Sequence, residues 1–249
     1  MKTVVAIPAR LKSTRFPRKV LADIHGKPML WHVCQGVSQA KMIDEIWVLT
    51  DSEEVYEAAG SWGIKTVMTA EDCPSGTDRI ASVVSVLDAE IIVNVQGDEP
   101  TIAGSVVDLM VSALQDSDAD MVTPVFPITD PAEITDPNLV KVVRASNGDA
   151  LYFSRSPVPY VRDVTQEQWP AATAYWGHVG VYGYRRGLLE EFPSLPEGRL
   201  EKAEKLEQLR LLEAGKTVRT VEIDWRPFGV DVPADLEAVK SMLKPTPKA

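Results

Sequence analysis

TVVAIPARLKSTRFPRK, Thr3–Lys19, is an apolar run that passes straight into a basic loop, and the way it is read decides the fold. Thr3–Ala9 has the apolar composition of a strand covered by helices on both faces of a sheet. Similar short runs lie at Glu45–Thr50, Lys65–Met68, Ile91–Val95 and Met121–Pro124. Helical patterns separate them, near Met29–Ala40, Ser52–Ser61, Gly76–Leu87 and Ala103–Asp116. Such alternation predicts parallel pairing, because parallel neighbours need a long crossover. The expected fold class is α/β, a Rossmann-like, doubly wound, mostly parallel sheet with helices on both faces.

Beyond about residue 125 the pattern becomes β-rich, at Val140–Arg144, Ala150–Arg155 and His178–Tyr184, with a Pro- and Trp-containing loop around Pro157–Trp176. Leu200–Ala214 is helical by propensity and Gly215 supplies a stop. A strand near Val218–Ile223 and a helix near Pro233–Leu243 follow, and residues 245–249 read as a loose tail. One domain is expected over residues 1–244, with a nucleotide-binding part at about 1–125 and a second part at about 126–244.

A chain of 249 residues, 45% of them apolar, can bury a full core. Its net charge of −10 argues against general nucleic-acid binding, which requires a basic surface. Apolar stretches such as Ile91–Val95 are far shorter than the roughly 20 residues a membrane span needs, so no membrane is expected. Met1-Lys2 runs directly into the first strand without a secretory h-region, which makes a cytoplasmic location the expectation. Cys34 and Cys73, far apart and without nearby His spacing, suggest neither a disulfide framework nor a zinc site.

Four motifs can carry chemistry. Ile7–Lys19 begins at the carboxyl end of the first strand, where open α/β sheets bind ligands, and it concentrates Arg10, Lys12, Arg15, Arg18 and Lys19 in an acidic chain. Arg10, Arg15 and Lys19 can meet the charge of a triphosphate, although the same run also reads as a solvated basic loop. It is neither a Walker loop nor a GxGxxG turn. IIVNVQGDEP, Ile91–Pro100, ends an apolar strand in carboxylates, placing Asp98 where an oxygen ligand could hold magnesium against phosphate. FGVDVPADLE, Phe228–Glu237, offers Asp231 as a second carboxylate. Either Asp could instead be a helix cap. SGTDRI, Ser75–Ile80, sets Arg79 in the first turns of a helix, where a cation needs an anionic or hydrogen-bonding partner.

In this order and at these separations, together with VKVVRASNGDALYFSRSPVP, HVGVYGYR and LEKAEKLEQLR, the motifs resemble the Kdo (3-deoxy-manno-octulosonate) cytidylyltransferases, or CMP-Kdo synthetases, of Gram-negative bacteria. The likeness runs from Val4 to about Val239. It implies a nucleotide-diphospho-sugar transferase type of fold, and the reaction of CTP with Kdo to CMP-Kdo and diphosphate, with Mg2+, for lipopolysaccharide biosynthesis. Carried over by position, it implies that Ala9, Arg10, Ser13, Arg15 and Lys19 hold CTP, with Ser75 and Arg79 at the cytidine end. Arg10, Lys19 and Asp98 would be catalytic, and Asp98 and Asp231 would hold the metal. Gln96, Arg155, His178, Tyr182, Glu207 and Gln208 would meet the sugar. The second part of the chain would bind sugar and form a homodimer, to which Trp169, Tyr175 and Trp176 belong unless they are core.

The sequence departs from the family at Arg18 and Val20, where Gly and Pro are common, at Gly177, where a basic residue usually precedes the histidine, and at Val232, where Thr follows the metal Asp. No metal ligand is lost. The missing cation leaves 8-amino-Kdo, a sialic-acid-like sugar or a phosphonate open as the acid. A non-catalytic nucleotide-binding module is the rival from another class, disfavoured because a mere binder needs no pair of metal carboxylates.

Overall fold

The computed structural model describes residues 1–13 and 15–243. Its strands are β1 (Thr3–Pro8), β2 (Asp23–Ile24), β3 (Lys27–Pro28), β4 (Glu45–Thr50), β5 (Lys65–Met68), β6 (Ile91–Asn94), β7 (Met121–Ile128), β8 (Lys141–Arg144), β9 (Ala150–Ser154), β10 (Tyr175–His178), β11 (Tyr182–Arg185) and β12 (Val218–Glu222). All but the β2–β3 hairpin join a single sheet. Its parallel heart is β5-β4-β1-β6. The antiparallel β11 links β6 to β7, and β12 pairs with β7 in parallel. The far end of β7 pairs with β10, which leads through β8 to the edge strand β9.

The two-sided apolar character of β1 is what buries it. Val5 and Ile7 enter one core with Leu30, Val33, Val106 and Met110, whereas Val4 and Ala6 enter another with Ile80, Leu188 and Leu189. Helices Met29–Val37 and Gly104–Gln115 thus cover one face, and Gly76–Ala81 and Arg186–Glu191 the other. Fully burying each such aliphatic side chain contributes about 1.5–3 kcal/mol. A third, smaller core of Ile24, Met29, Val230, Leu236 and Val239 ties the β2–β3 hairpin to the helix Pro233–Met242.

Three expected elements are interrupted. Gly76–Leu87 forms two short helices, Gly76–Ala81 and Val84–Leu87. His178–Tyr184 divides between β10 and β11, because Thr123 Oγ1 takes the carbonyls of Val179 and Val181 at 3.0 and 2.9 Å and draws the chain off the ladder. Leu200–Ala214 breaks at Lys205, φ 56, where Arg155 Nε captures the Glu204 carbonyl at 2.7 Å. The hairpin β2–β3 and the helices Pro131–Thr135 and Arg186–Glu191 were not expected from the sequence pattern. Residues 245–249, expected to be a tail, lie outside the described residues. Trp169 and Tyr175 are core of this chain, stacked with ring centroids 6.2 Å apart. Among the described residues no helix is long and apolar enough to cross a membrane, and Cys34 and Cys73 are both buried and free.

Candidate active site

Because β1 and β6 are parallel neighbours, the loops that follow them emerge at the same edge of the sheet. The loop after β1 is anchored at its start by Ala9, whose N–H donates to the Leu49 carbonyl at 2.9 Å. Arg10 Nη2 then donates to the Ser75 carbonyl at 2.8 Å. Ser75 in turn caps the helix Gly76–Ala81, its Oγ accepting from the Asp78 N–H at 3.1 Å. Burial, and after it the neighbouring Arg79 guanidinium, holds Arg10 below the ordinary arginine value. A cation made uncomfortable in this way favours an incoming anion. Arg10, Ser13, Arg15, Lys19, Gln96 and Asp98 line one cleft of about 350 Å³.

Asp98 and Asp231 come together. The Val230 N–H donates to the Asp98 carbonyl at 2.9 Å, and the Phe228 N–H donates to Thr101 Oγ1 at 2.6 Å, so the segment before Asp231 is pinned along the loop that carries Asp98. The Lys19 ammonium contacts Asp98 Oδ2 and lies 3.6 Å from Asp231 Oδ1, while Arg15 Nη2 meets the same Asp231 oxygen at 3.0 Å. Asp231 is not the cap of the helix Pro233–Met242. Asp235 Oδ2 reaches back to the N–H groups of Asp231 and Val232, at 2.8 and 2.9 Å, and leaves the Asp231 carboxylate to the cleft.

Glu99, next in sequence, is half-buried, and its Oε2 is buried with no hydrogen-bond partner. Burial, then the charges of Asp98 and Asp231, pushes its carboxyl up to about 8. A Cβ at Gly229 would lie 2.7 Å from Glu99 Oε1, so a larger residue there would push the Glu99 carboxylate aside. A second cleft of about 580 Å³ adjoins the first, sharing Arg15 and Asp98 and adding Glu99, His178, Arg226 and Asp231. Among the described residues no group of three His, Cys, Asp or Glu side chains forms a metal cage. Two carboxylates facing a cationic cleft nonetheless fit magnesium, which binds through one or two carboxylates and lets substrate phosphates and water complete its shell.

Of the residues expected at the sugar, Gln96 lines the first cleft and His178 the second. Gln96 Nε2 donates to Asn94 Oδ1 at 3.0 Å. Thr77 Oγ1 lies 3.2 Å from the Tyr184 hydroxyl and donates to Glu207. The Tyr182 hydroxyl donates to Gln208 Oε1 at 3.4 Å, and its ring lies 5.5 Å from that of His178. His178 Nε2 is 3.0 Å from Thr123 Oγ1, whose hydrogen is directed to the Val179 and Val181 carbonyls, so the imidazole is the donor. Burial lowers His178 to about 3 and keeps it neutral, and burial likewise raises Glu207. Gln208 Nε2 is buried without a hydrogen-bond partner.

Ala9, Ser75, Arg79, Arg155, Tyr182, Glu207 and Gln208, all expected at the site, line neither cleft. Arg79 is fully buried, bound to Asp51 at 3.0 Å and to Thr69. The Arg155 guanidinium is directed to the carbonyls of Glu204 and Pro137, at 2.7 and 3.0 Å. Conversely, Glu99 and Arg226 line the second cleft, and Asn94 and Thr77 hydrogen-bond to Gln96 and Glu207, but none of the four was singled out from the sequence. Glu99 stood within the QGDEP motif, where its carboxylate neighbour drew the attention. The departure at Gly177 has a steric cause, since a Cβ there would lie 2.5 Å from the Phe126 ring.

A profile of the cytidylyltransferase family matches residues 4–218. The 3-deoxy-manno-octulosonate cytidylyltransferase of Solibacter usitatus (strain Ellin6076) is 48% identical, over 98% of this chain and 95% of that one. Its counterpart from Escherichia coli is 43% identical over 97% and 96%. Among solved structures, CMP:2-keto-3-deoxy-manno-octonic acid synthetase complexed with CTP superposes with a TM-score of 0.92 at 43% identity, covering 97% of this chain and 98% of that one. A cytidylyltransferase from Leptospira borgpetersenii, at 18% identity and a TM-score of 0.64, shares the fold. With these similarities running the length of the chain, the protein belongs to the 3-deoxy-manno-octulosonate cytidylyltransferase family.

Proposed function

We propose that the protein transfers CMP from CTP to the anomeric hydroxyl of Kdo and releases diphosphate, a step of lipopolysaccharide biosynthesis, with magnesium as its cofactor. The observation that carries this reading is the meeting of Asp98, Asp231 and Lys19 at the mouth of the cleft that Arg10 and Ser13 line. The names of relatives similar over nearly the whole chain support CTP and Kdo as the substrates. The sugar oxygen forms a bond to the α-phosphorus as the bond to the departing diphosphate breaks, and no covalent enzyme intermediate is needed.

Ala9, Arg10, Ser13, Arg15 and Lys19 bind the triphosphate, and Arg10 and Lys19 offset the charge that grows on the leaving diphosphate. Ser75 frames the cytidine end, with Arg79 buried behind it. Gln96, Glu207, Gln208 and Tyr182 offer both donors and acceptors to sugar hydroxyls. Neutral His178 serves there as a hydrogen-bonding wall rather than as a charge. Arg155 acts as a positioning residue, holding the turn at Glu204–Lys205 that presents Glu207. Magnesium, held by Asp98 and Asp231, would supply neutralisation of phosphate charge and a lower pKa for the attacking hydroxyl. The same proposal takes residues 1–125 as the nucleotide-binding part, residues 126–244 as the part for sugar binding and dimerisation, and the protein as a cytoplasmic homodimer.

The test is diphosphate release from CTP with Kdo, 8-amino-Kdo, sialic acid and simple phosphonates, with Kdo expected to be the productive acid. Asp98→Asn is expected to lower turnover by about 10²–10³, the scale of losing one electrostatic contact to a transition state, without moving the unfolding transition. CTP binding with no product from any of these acids would instead make the protein a nucleotide-binding module.

A further inference from the structure

Lys19 occupies the place between the two carboxylates that a divalent ion is expected to take. Its side chain is only 14% exposed, and it also donates to the Val230 carbonyl at 3.2 Å. Yet Lys19 is at the same time part of the wall that Arg10 and Ser13 present to the nucleotide cleft. A flexible four-carbon stem lets one ammonium serve either place without a move of the backbone.

A cation between the two carboxylates offsets their mutual repulsion, and Arg15 meets Asp231 as well, at 3.0 Å. Asp98 and Asp231, both open to water in part, converge beside Glu99, whose buried Oε2 has no partner, and like charges gathered at one place repel unless a cation lies among them. An ammonium and a divalent ion cannot both sit against the same oxygens, because like charges at contact distance repel strongly in a partly buried site. Exchange of one cation for the other satisfies both demands.

We propose that Lys19 is the resident cation of the Asp98–Asp231 pair in the ligand-free protein, and that it yields the pair to a divalent ion as it turns to the phosphates of the nucleotide. This rests on the reading of Asp98 and Asp231 as metal ligands. Metal alone must displace Lys19 and therefore binds weakly, whereas a bound triphosphate draws Lys19 away and opens the pair. By linkage, nucleotide and metal then strengthen each other's binding, and the site loads both together.

The probe is Mn2+ alone, titrated without nucleotide into the full chain and followed by electron paramagnetic resonance of free Mn2+, with thermal unfolding as the check on folding. Lys19→Met is expected to bind Mn2+ about tenfold or more tightly than the unaltered protein. Lys19→Gln, which keeps a hydrogen bond without the charge, carries the same expectation should the Met variant fail to fold. Adding Asp98→Asn to either is expected to abolish the gain. If both Lys19 variants bind Mn2+ no more tightly while Asp98→Asn alone weakens binding, the exchange is overturned and the metal carboxylates stand. An affinity indifferent to Asp98→Asn in every background overturns the carboxylate reading and the exchange with it.

Discussion

Arg18 has φ 61, in the left-handed region that L side chains adopt at a cost of about 1–2 kcal/mol and that glycine enters freely. The family resemblance implied glycine at this position, and the backbone conformation is one that glycine would adopt without strain. The loop must reverse here so that Lys19, the next residue, can enter the site. Arg18 also pairs with Glu54 across an exposed contact, so a single substitution would mix backbone and side-chain effects. Comparing Arg18→Gly with Arg18→Ala separates them, because both remove the ion pair. The Gly variant is expected to be more stable than the Ala variant by about 1 kcal/mol in denaturant unfolding. Equal stabilities would show that the turn relaxes to another conformation when the side chain is gone.

At the scale of elements, much of the architecture was legible because its signals are local. The strands β1, β4, β5 and β6 and their crossover helices follow from apolar runs and helical spacing, within a few residues at each end. What could not be read is where a distant group intercepts the backbone. The break at Lys205 depends on Arg155, and the step between β10 and β11 on Thr123, neither of them near in sequence. For the same reason the candidate site was half visible. Asp98 and Arg10 follow closely on apolar strands and announce themselves, whereas the direction of the Arg155 guanidinium and the burial of Arg79 exist only in three dimensions. Lys141 at the start of β8 is a further example. It is fully buried, and its ammonium donates to the carbonyls of Asp136, Leu139 and Arg155 at 2.8, 2.6 and 2.7 Å, joining the loop before β8 to the end of β9. Burial lowers its pKa, but three acceptors hold the charge in place. Lys141→Met keeps the length and leaves these carbonyls without a donor. A loss of stability on the order of 3 kcal/mol is expected by denaturant titration, and a stability equal to the parent would show that water replaces the ammonium.

Across the whole molecule, the site is an assembly of segments from both ends of the chain, gathered where parallel strands deliver their loops to one edge. The loop after β1 brings cations, the loop after β6 brings Asp98, and the segment before the last helix brings Asp231, fastened by the Val230 to Asp98 hydrogen bond. Such an assembly suits an acidic protein that binds a polyanion. The net charge of −10 is offset locally where Arg10, Arg15 and Lys19 line one cleft, which favours an anion there. If Asp98 and Asp231 act through one shared ion, they form a single functional unit, and their losses cannot multiply. Asp98→Asn and Asp231→Asn are each expected to lower kcat for CMP transfer by about 10²–10³. The double variant is then expected to fall no more than a few-fold below the weaker single one. Carboxylates serving separate groups would give instead the product of the two losses, on the order of 10⁴–10⁶. Steady-state kcat for the four proteins at saturating CTP and Kdo, with unfolding curves to confirm that each is folded, distinguishes one ion from two independent roles.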